Sequence, residues 1–342
     1  MAKSSAQDQW IAFHLFYGGY MPILLKECVA PLVTELKRRN WISKFFYICY
    51  WTEGLHLRLR LLPAIGSDTD TVSEYVMSFC KSYLARKPAL KPSVTWVLKK
   101  QYNELFQAEY KDNDRNSFFN RDGSPIFSAN NTIEPRKYEP EYSRYGGKNG
   151  IGLSEAHFCV SSEFVLALAS HGRLDSPNLV RGMAALIMYI YVRVFLGGRL
   201  EAKTFFYHYY QHWTSSYGIQ TRYADPTNHV EFESAISQLA SEISVFEDAI
   251  VNHLSMGQVL DSWLLECQRM SSSITQLAEE HKLVFGDKWA FEGVVKPNAQ
   301  TSKQILLQSY VHMMNNRLTV EIADEAYLAF LLSSACELLE TL

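Results

Sequence analysis

An α+β fold is predicted by two features of the 342-residue sequence. Short β-rich or alternating runs gather in roughly the first 145 residues, and long apolar-periodic segments fill the remainder. No Pro/Ser-rich linker separates them, so antiparallel strands and a large helical C-terminal portion are expected to share one core. The chain is read as a single domain over 1–342, strand-rich over 1–150 and helical over 151–342.

Trp10 to Tyr17 is short, aromatic and apolar, ends at Gly18-Gly19, and reads as a strand. Met21 to Arg39 carries Leu24, Leu25, Cys28, Leu32 and Leu36 at helical spacing and closes on Lys37-Arg38-Arg39, which suits a helix C-terminus. Phe45 to Trp51, the turn Thr52-Glu53-Gly54, and Leu55 to Leu62 form the clearest hairpin. Asp68 to Tyr83 reads as a helix, Ser93 to Tyr102 as a further strand, and polar Gln107 to Pro135 as a long loop or partly ordered insertion. Helices are then expected at about 153–171, 178–197, 201–216, 229–252, 256–282, 299–317 and 320–341, broken at Asp225-Pro226, Gly286-Asp287 and Pro297-Asn298.

With 33 basic and 36 acidic side chains the formal charge is −3, which removes the electrostatic case for direct nucleic-acid binding. Charged residues at 20% and aromatic residues at 13% exclude a wholly disordered chain. Six cysteines, never spaced as C-x-x-C, argue against a zinc ribbon and fit free thiols in a reducing cytoplasm. The polar start has no signal-peptide pattern. The most apolar stretch, Met183 to Leu196, is read as a buried helix too short to cross a bilayer, and no membrane partner is expected.

Three constellations carry chemical potential. In a strand, His56, Arg58 and Arg60 project to one face and the intervening leucines to the other. Such a cationic row favours a carboxylate or phosphate, to which guanidinium presents a planar fork; solvated or Asp/Glu-paired cations are the plain alternative. The run Tyr138-Glu139-Pro140-Glu141-Tyr142-Ser143-Arg144-Tyr145-Gly146-Gly147 joins a charged cluster to paired glycines, the mark of a tight turn or a close backbone approach. Tyr310 to Leu318 places His312 beside Asn315, Asn316 and Arg317, either as a tuned acid or base or as an ordinary helix end. His208 and His212 have zinc-helix spacing but lack the glutamate of H-E-x-x-H, so no metal site is assigned.

Taken in order, these stretches resemble one family. The hairpin with His56-x-Arg58-x-Arg60, the Tyr138-Glu139-Pro140-Glu141-x-x-Arg144-Tyr145-Gly146-Gly147 run, Glu155-x-x-Phe158-x-x-Ser161-Ser162, and His312-Met313-x-x-Asn316-Arg317-Leu318 are similar to motifs of class I lantibiotic dehydratases. The resemblance is to their C-terminal elimination domain, also found as stand-alone proteins of thiopeptide-type bacteriocin biosynthesis. It runs from about residue 8 to the C-terminus. Ser161 stands where the family usually has Asp, and Cys49 where it usually has Arg.

The resemblance implies β-elimination of glutamate from glutamylated Ser or Thr of a ribosomal precursor peptide, leader plus core, to give dehydroalanine or dehydrobutyrine. A separate partner protein would install the glutamate from glutamyl-tRNA, and no cofactor is implied. By resemblance, Arg58 and Arg60, with His56 beside them, would hold glutamyl carboxylates or an enolate oxygen. Arg144 would extend that cationic pocket, Glu141 would orient Arg144 or move a proton, and His312 would be the general acid or base. Asn316 and Arg317 would shape the pocket. Two alternatives remain: a pyridine synthase joining two dehydroalanines by formal [4+2] cycloaddition with leader release, and a non-catalytic peptide-binding subunit that presents an edge strand.

Overall fold

The computed structural model describes residues 10–91, 102–103, 106–107, 115–217, 229–289 and 295–341. Two compact units divide the chain: residues 1–139 with 158–175, and residues 140–157 with 176–342.

In the first unit, four strands form one antiparallel sheet in the order β2-β3-β1-β4: β1 (Ile11–Phe16), β2 (Ile42–Tyr50), β3 (His56–Pro63) and β4 (Thr132–Arg136). The β2–β3 turn works because Glu53 and Gly54 both take positive φ, at 60° and 106°. Register sets Leu57, Leu59 and Leu61 of β3 opposite Leu15, Phe13 and Ile11 of β1, and opposite Cys49, Tyr47 and Phe45 of β2. This apolar face is buried against α2 (Ala30–Arg38) and α3 (Thr69–Arg86). Each fully buried leucine there contributes roughly 1.5–3 kcal/mol relative to exposure. Asp68 caps α3, its carboxylate accepting from the Asp70 and Thr71 amides. The predicted helix over Met21–Arg39 is divided. α1 (Met21–Leu24) passes through a π-helical turn (Leu25–Val29) into α2, because Pro31 has no N–H and its ring crowds the carbonyl one turn back.

Within Gln107–Pro135, the described residues 115–135 hold more structure than their composition predicts. They form the short helix α4 (Arg115–Phe118) and reach β4, an edge strand whose Pro135 costs nothing on the unpaired side. Of the strand expected over Ser93–Tyr102, residues 93–101 lie outside the described residues, while Tyr102 and Asn103 are helical. Tyr102, Phe106 and Phe119 form an aromatic cluster with Trp51, Phe118 and Phe127.

Helix α5 (Gly147–Ser170) gives residues 147–157 to the second unit and 158–170 to the first. In its latter part, Ser162 Oγ accepts the Tyr47 amide of β2 at 3.1 Å. The second unit adds α6 (Pro177–Leu196), α7 (Arg199–Tyr217), α8 (His229–Val251), α9 (Gln258–Glu279), α10 (Ala299–Arg317) and α11 (Ile322–Thr341), close to the predicted spans. α6 is buried around most of its circumference and packs on α7, α9, α10 and α11. It starts six residues before Met183, so length alone does not bar it from a bilayer, contrary to expectation. α5 and α6 are both long and apolar enough to cross one, yet 56% of each apolar window is buried within the protein. All six cysteines are free thiols.

Candidate functional site

The second face of the sheet is the chemically unusual one. His56, Arg58 and Arg60 alternate along β3 as predicted, and His14 of β1 lies directly opposite Arg58. His56 is fully buried. Its Nδ1 donates to the Gly54 carbonyl at 2.7 Å, so Nε2 is left to accept Arg58 Nε–H at 3.1 Å. Burial, then the Arg58 charge, push its pKa down to about 3. His56 is therefore a neutral acceptor that aims Arg58, and both its nitrogens are committed. The Arg58 guanidinium lies 3.5 Å over the Tyr50 ring and also donates to Thr52 Oγ1 at 3.3 Å.

Arg60 is 6% exposed, and among the described residues its hydrogen bond is to the Leu59 carbonyl at 3.4 Å. Its Nε has no hydrogen-bond partner among the described residues, and Tyr138 covers the guanidinium at 5.4 Å. Burial, reinforced by Arg58, lowers its pKa to about 9. Among the described residues neither Arg58 nor Arg60 has an ion-pair partner, whereas Arg136 on the same face is paired with Glu53 at 3.1 Å and Glu134 at 2.5 Å. A buried guanidinium without an anion is costly, and carboxylate binding would relieve that cost. His14, stacked on His56 at 4.7 Å, also keeps a buried Nδ1 without a hydrogen-bond partner among the described residues. Burial first, then the surrounding cations, hold it neutral. Sequence reasoning missed His14; its signal was one polar residue at the sheet-face position of an otherwise apolar strand.

In the second unit, the 140–147 loop turns on Gly146 and Gly147, at φ 82° and 79°. Glu141 and Arg144 pair at 3.3 Å, and Arg144 Nε–H donates to Ser309 Oγ of α10 at 3.1 Å. Trp289 lies 5.0 Å from the same guanidinium. Ser309, His312 and Asn316 follow one face of α10, so Arg144 and Glu141 are held on the side that carries His312. His312 Nδ1 lies 3.1 Å from Oε2 of Glu325, a 1%-exposed carboxylate in the first turn of α11 that also accepts the Tyr209 hydroxyl. Trp213 packs on the imidazole at 4.8 Å. Arg317 belongs elsewhere: it is buried on another face of α10 and donates to the Met313 carbonyl at 2.9 Å.

Glu325 was not read from the sequence. A glutamate inside an apolar helix thirteen residues after His312 was the available signal. The same holds for His157, which is 1% exposed and lies 2.7 Å from Glu266 Oε1 and 2.5 Å from the Tyr191 hydroxyl. Burial lowers the His157 pKa. Burial alone would raise that of Glu266, but hydrogen bonds from His157 and Arg269 bring it below the usual value.

The sequence-predicted residues thus fall in two sets, His56, Arg58 and Arg60 in the first unit, and Glu141, Arg144, His312, Asn316 and Arg317 in the second. Residues 10–336 match the family described as Lantibiotic biosynthesis dehydratase C-term. The fold is similar to the pyridine synthase TbtD from thiomuracin biosynthesis, with TM-score 0.66 and 14% identity over 96% of this chain and 97% of that one. It is similar also to TsrL, with TM-score 0.67 and 14% identity over 98% and 96%. The tRNA-dependent lantibiotic dehydratase MibB from Microbispora sp. 107891 matches with TM-score 0.53 and 17% identity, over 100% of this chain and 29% of that one. No curated protein sequence matches the chain.

Proposed function

Because the chain belongs to the lantibiotic biosynthesis dehydratase C-terminal family, we propose that it is a lyase. It removes glutamate from glutamylated Ser or Thr of a ribosomally made precursor peptide, in the cytoplasm. A separate protein loads the glutamate from glutamyl-tRNA. The observation that carries this reading is the pair Arg58 and Arg60, two guanidiniums on one sheet face with no carboxylate partner among the described residues.

The chemistry needs two things, a base for a weakly acidic peptide Cα proton and cations for the oxygen that leaves. In the elimination, the Cα–H electron pair becomes the Cα=Cβ bond while the Cβ–O bond breaks, and glutamate departs as a carboxylate. Arg58, aimed by His56, and Arg60 suit that developing carboxylate and the free side-chain carboxylate of the same glutamyl group. His312, on the α10 face it shares with Ser309, suits the proton transfer. Glu141 keeps Arg144 directed at this face.

A second reading takes its chemistry from TbtD, a pyridine synthase whose fold this chain matches from end to end. In it the chain would join two dehydroalanines in a formal [4+2] cycloaddition and release the leader peptide. The test is to incubate the purified protein with a chemically glutamylated peptide and follow its mass. Loss of glutamic acid supports the lyase. Conversion of a bis-dehydroalanine peptide alone, with leader release, supports the cyclase. Binding without any mass change leaves a presenting subunit and sinks both enzymatic readings.

A further inference from the structure

We propose that Glu325 is the positioning residue of His312. Its carboxylate keeps the imidazole proton on Nδ1, so that Nε2 exchanges the substrate proton, and Tyr209 in turn fixes the carboxylate. The geometry stands on its own, while the catalytic consequence rests on the lyase reading above.

Glu325 is 1% exposed, yet it lies in the first turn of α11, where the positive end of the helix dipole suits a carboxylate. Both of its oxygens are engaged. Oε1 accepts the hydroxyl of Tyr209, and Oε2 takes Nδ1 of His312 at 3.1 Å. Since a carboxylate only accepts, Nδ1 must carry the hydrogen. On the other side of the ring, Nε2 has no hydrogen-bond partner among the described residues, and the His312 side chain is 21% exposed. Trp213 lies against the ring at 4.8 Å and 41°, which removes its remaining rotation.

The groups around His312 come from every element packed near it. α11 supplies Glu325, and α7 supplies Tyr209, His212 and Trp213. The Arg144 guanidinium of the glycine loop acts on Tyr209 from beyond. Of these, only Glu325 is an acid. When Nε2 takes the Cα proton the ring becomes an imidazolium, and Glu325 is the group placed to balance its charge. Catalytic His–carboxylate pairs divide the labour in this way. A carboxylate with a purely structural purpose would tie three helices together equally well, so the test must read the ring itself.

The first measurement is the ¹⁵N spectrum of the histidine-labelled full chain at alkaline pH, with the His312 signal identified by its loss in His312→Gln. We expect the Nδ1–H form in the native protein and a shift toward the Nε2–H form, which an unconstrained histidine side chain prefers, in Glu325→Met. A native Nε2–H form overturns the proposal whatever reaction the protein performs, and so does an unchanged signal in Glu325→Met. The native spectrum is decisive even where that variant does not fold.

The second measurement is steady-state elimination from a glutamylated peptide. Glu325→Gln should lower kcat about 10²-fold with KM within twofold, and Tyr209→Phe should lower it severalfold. Native kcat in Glu325→Gln, where His312→Gln is inactive, overturns the catalytic half. If no variant and no native sample eliminates glutamate, it is the lyase reading that fails, and the spectrum still decides whether Glu325 sets the tautomer.

Discussion

The polar face of the sheet and the helices of the second unit treat their imidazoles in opposite ways. On the sheet, His14 and His56 are neutral and surrounded by cations, and His56 accepts from a guanidinium. In the helical unit, His157 and His312 each give a ring nitrogen to a buried carboxylate. The sheet therefore concentrates positive charge on Arg58 and Arg60 that no carboxylate among the described residues pairs. The helices hold rings whose proton position is dictated from within. Under the proposed function, the first region binds and the second controls protons.

The largest effect that could break this comparison lies at His312. His312→Ala should reduce elimination by about 10²–10⁴, the usual worth of a general acid or base, with glutamylated peptide accumulating. Native turnover in that variant would remove the proton-handling half. Next come Arg58→Ala and Arg60→Ala, each expected to cost about 10²–10³ in kcat/KM, with lysine unable to restore a planar fork. Full rescue by lysine would reduce the sheet to a diffuse positive field.

His56→Phe should act more mildly, about tenfold and mainly in KM, because it removes the acceptor that aims Arg58 together with the bond to the Gly54 carbonyl, and touches no reacting atom. Acid then separates stability from chemistry. His14, His56 and His157 all have folded pKa values below the ordinary 6.5. The unfolded chain therefore takes up more protons below pH 6.5. Stability is intact above that value and falls as pH drops, by about 1.4 kcal/mol per pH unit for each imidazole. Denaturant titrations between pH 7 and 5 should show this slope, and removing one of the three should shallow it; a flat profile would contradict the buried neutral rings. The smallest effect is Gly146→Ala. A Cβ there would sit 3.0 Å from Leu283 Cδ2 at a positive φ, and we expect a loss of about 1 kcal/mol in thermal or denaturant stability.

The fold was legible wherever periodicity was strong. The hairpin and the seven long helices follow from alternation and from 3.6-residue spacing. β4 was not legible, because Thr132-Ile133-Glu134-Pro135-Arg136 is short, polar and interrupted by proline, and becomes a strand only through pairing with β1. Of the site, the face shared by His56, Arg58 and Arg60 could be read directly. The neutrality of His56 could not, since it depends on a turn carbonyl and on burial. Glu325, Tyr209 and Glu266 escaped for a related reason. Glu325 reaches His312 from the next helix, while Tyr209 reaches Glu325 over 116 residues of sequence and Glu266 reaches His157 over 109, and no spacing rule reports such encounters.

The Ser162 hydroxyl that takes the Tyr47 amide closes a strand edge that helix α5 covers, both residues being fully buried. β2 lies at one border of the sheet, where bare amides invite self-association. Ser162→Ala would take this acceptor from a buried amide, so its cost falls on the seam between helix and strand, at about 1–3 kcal/mol.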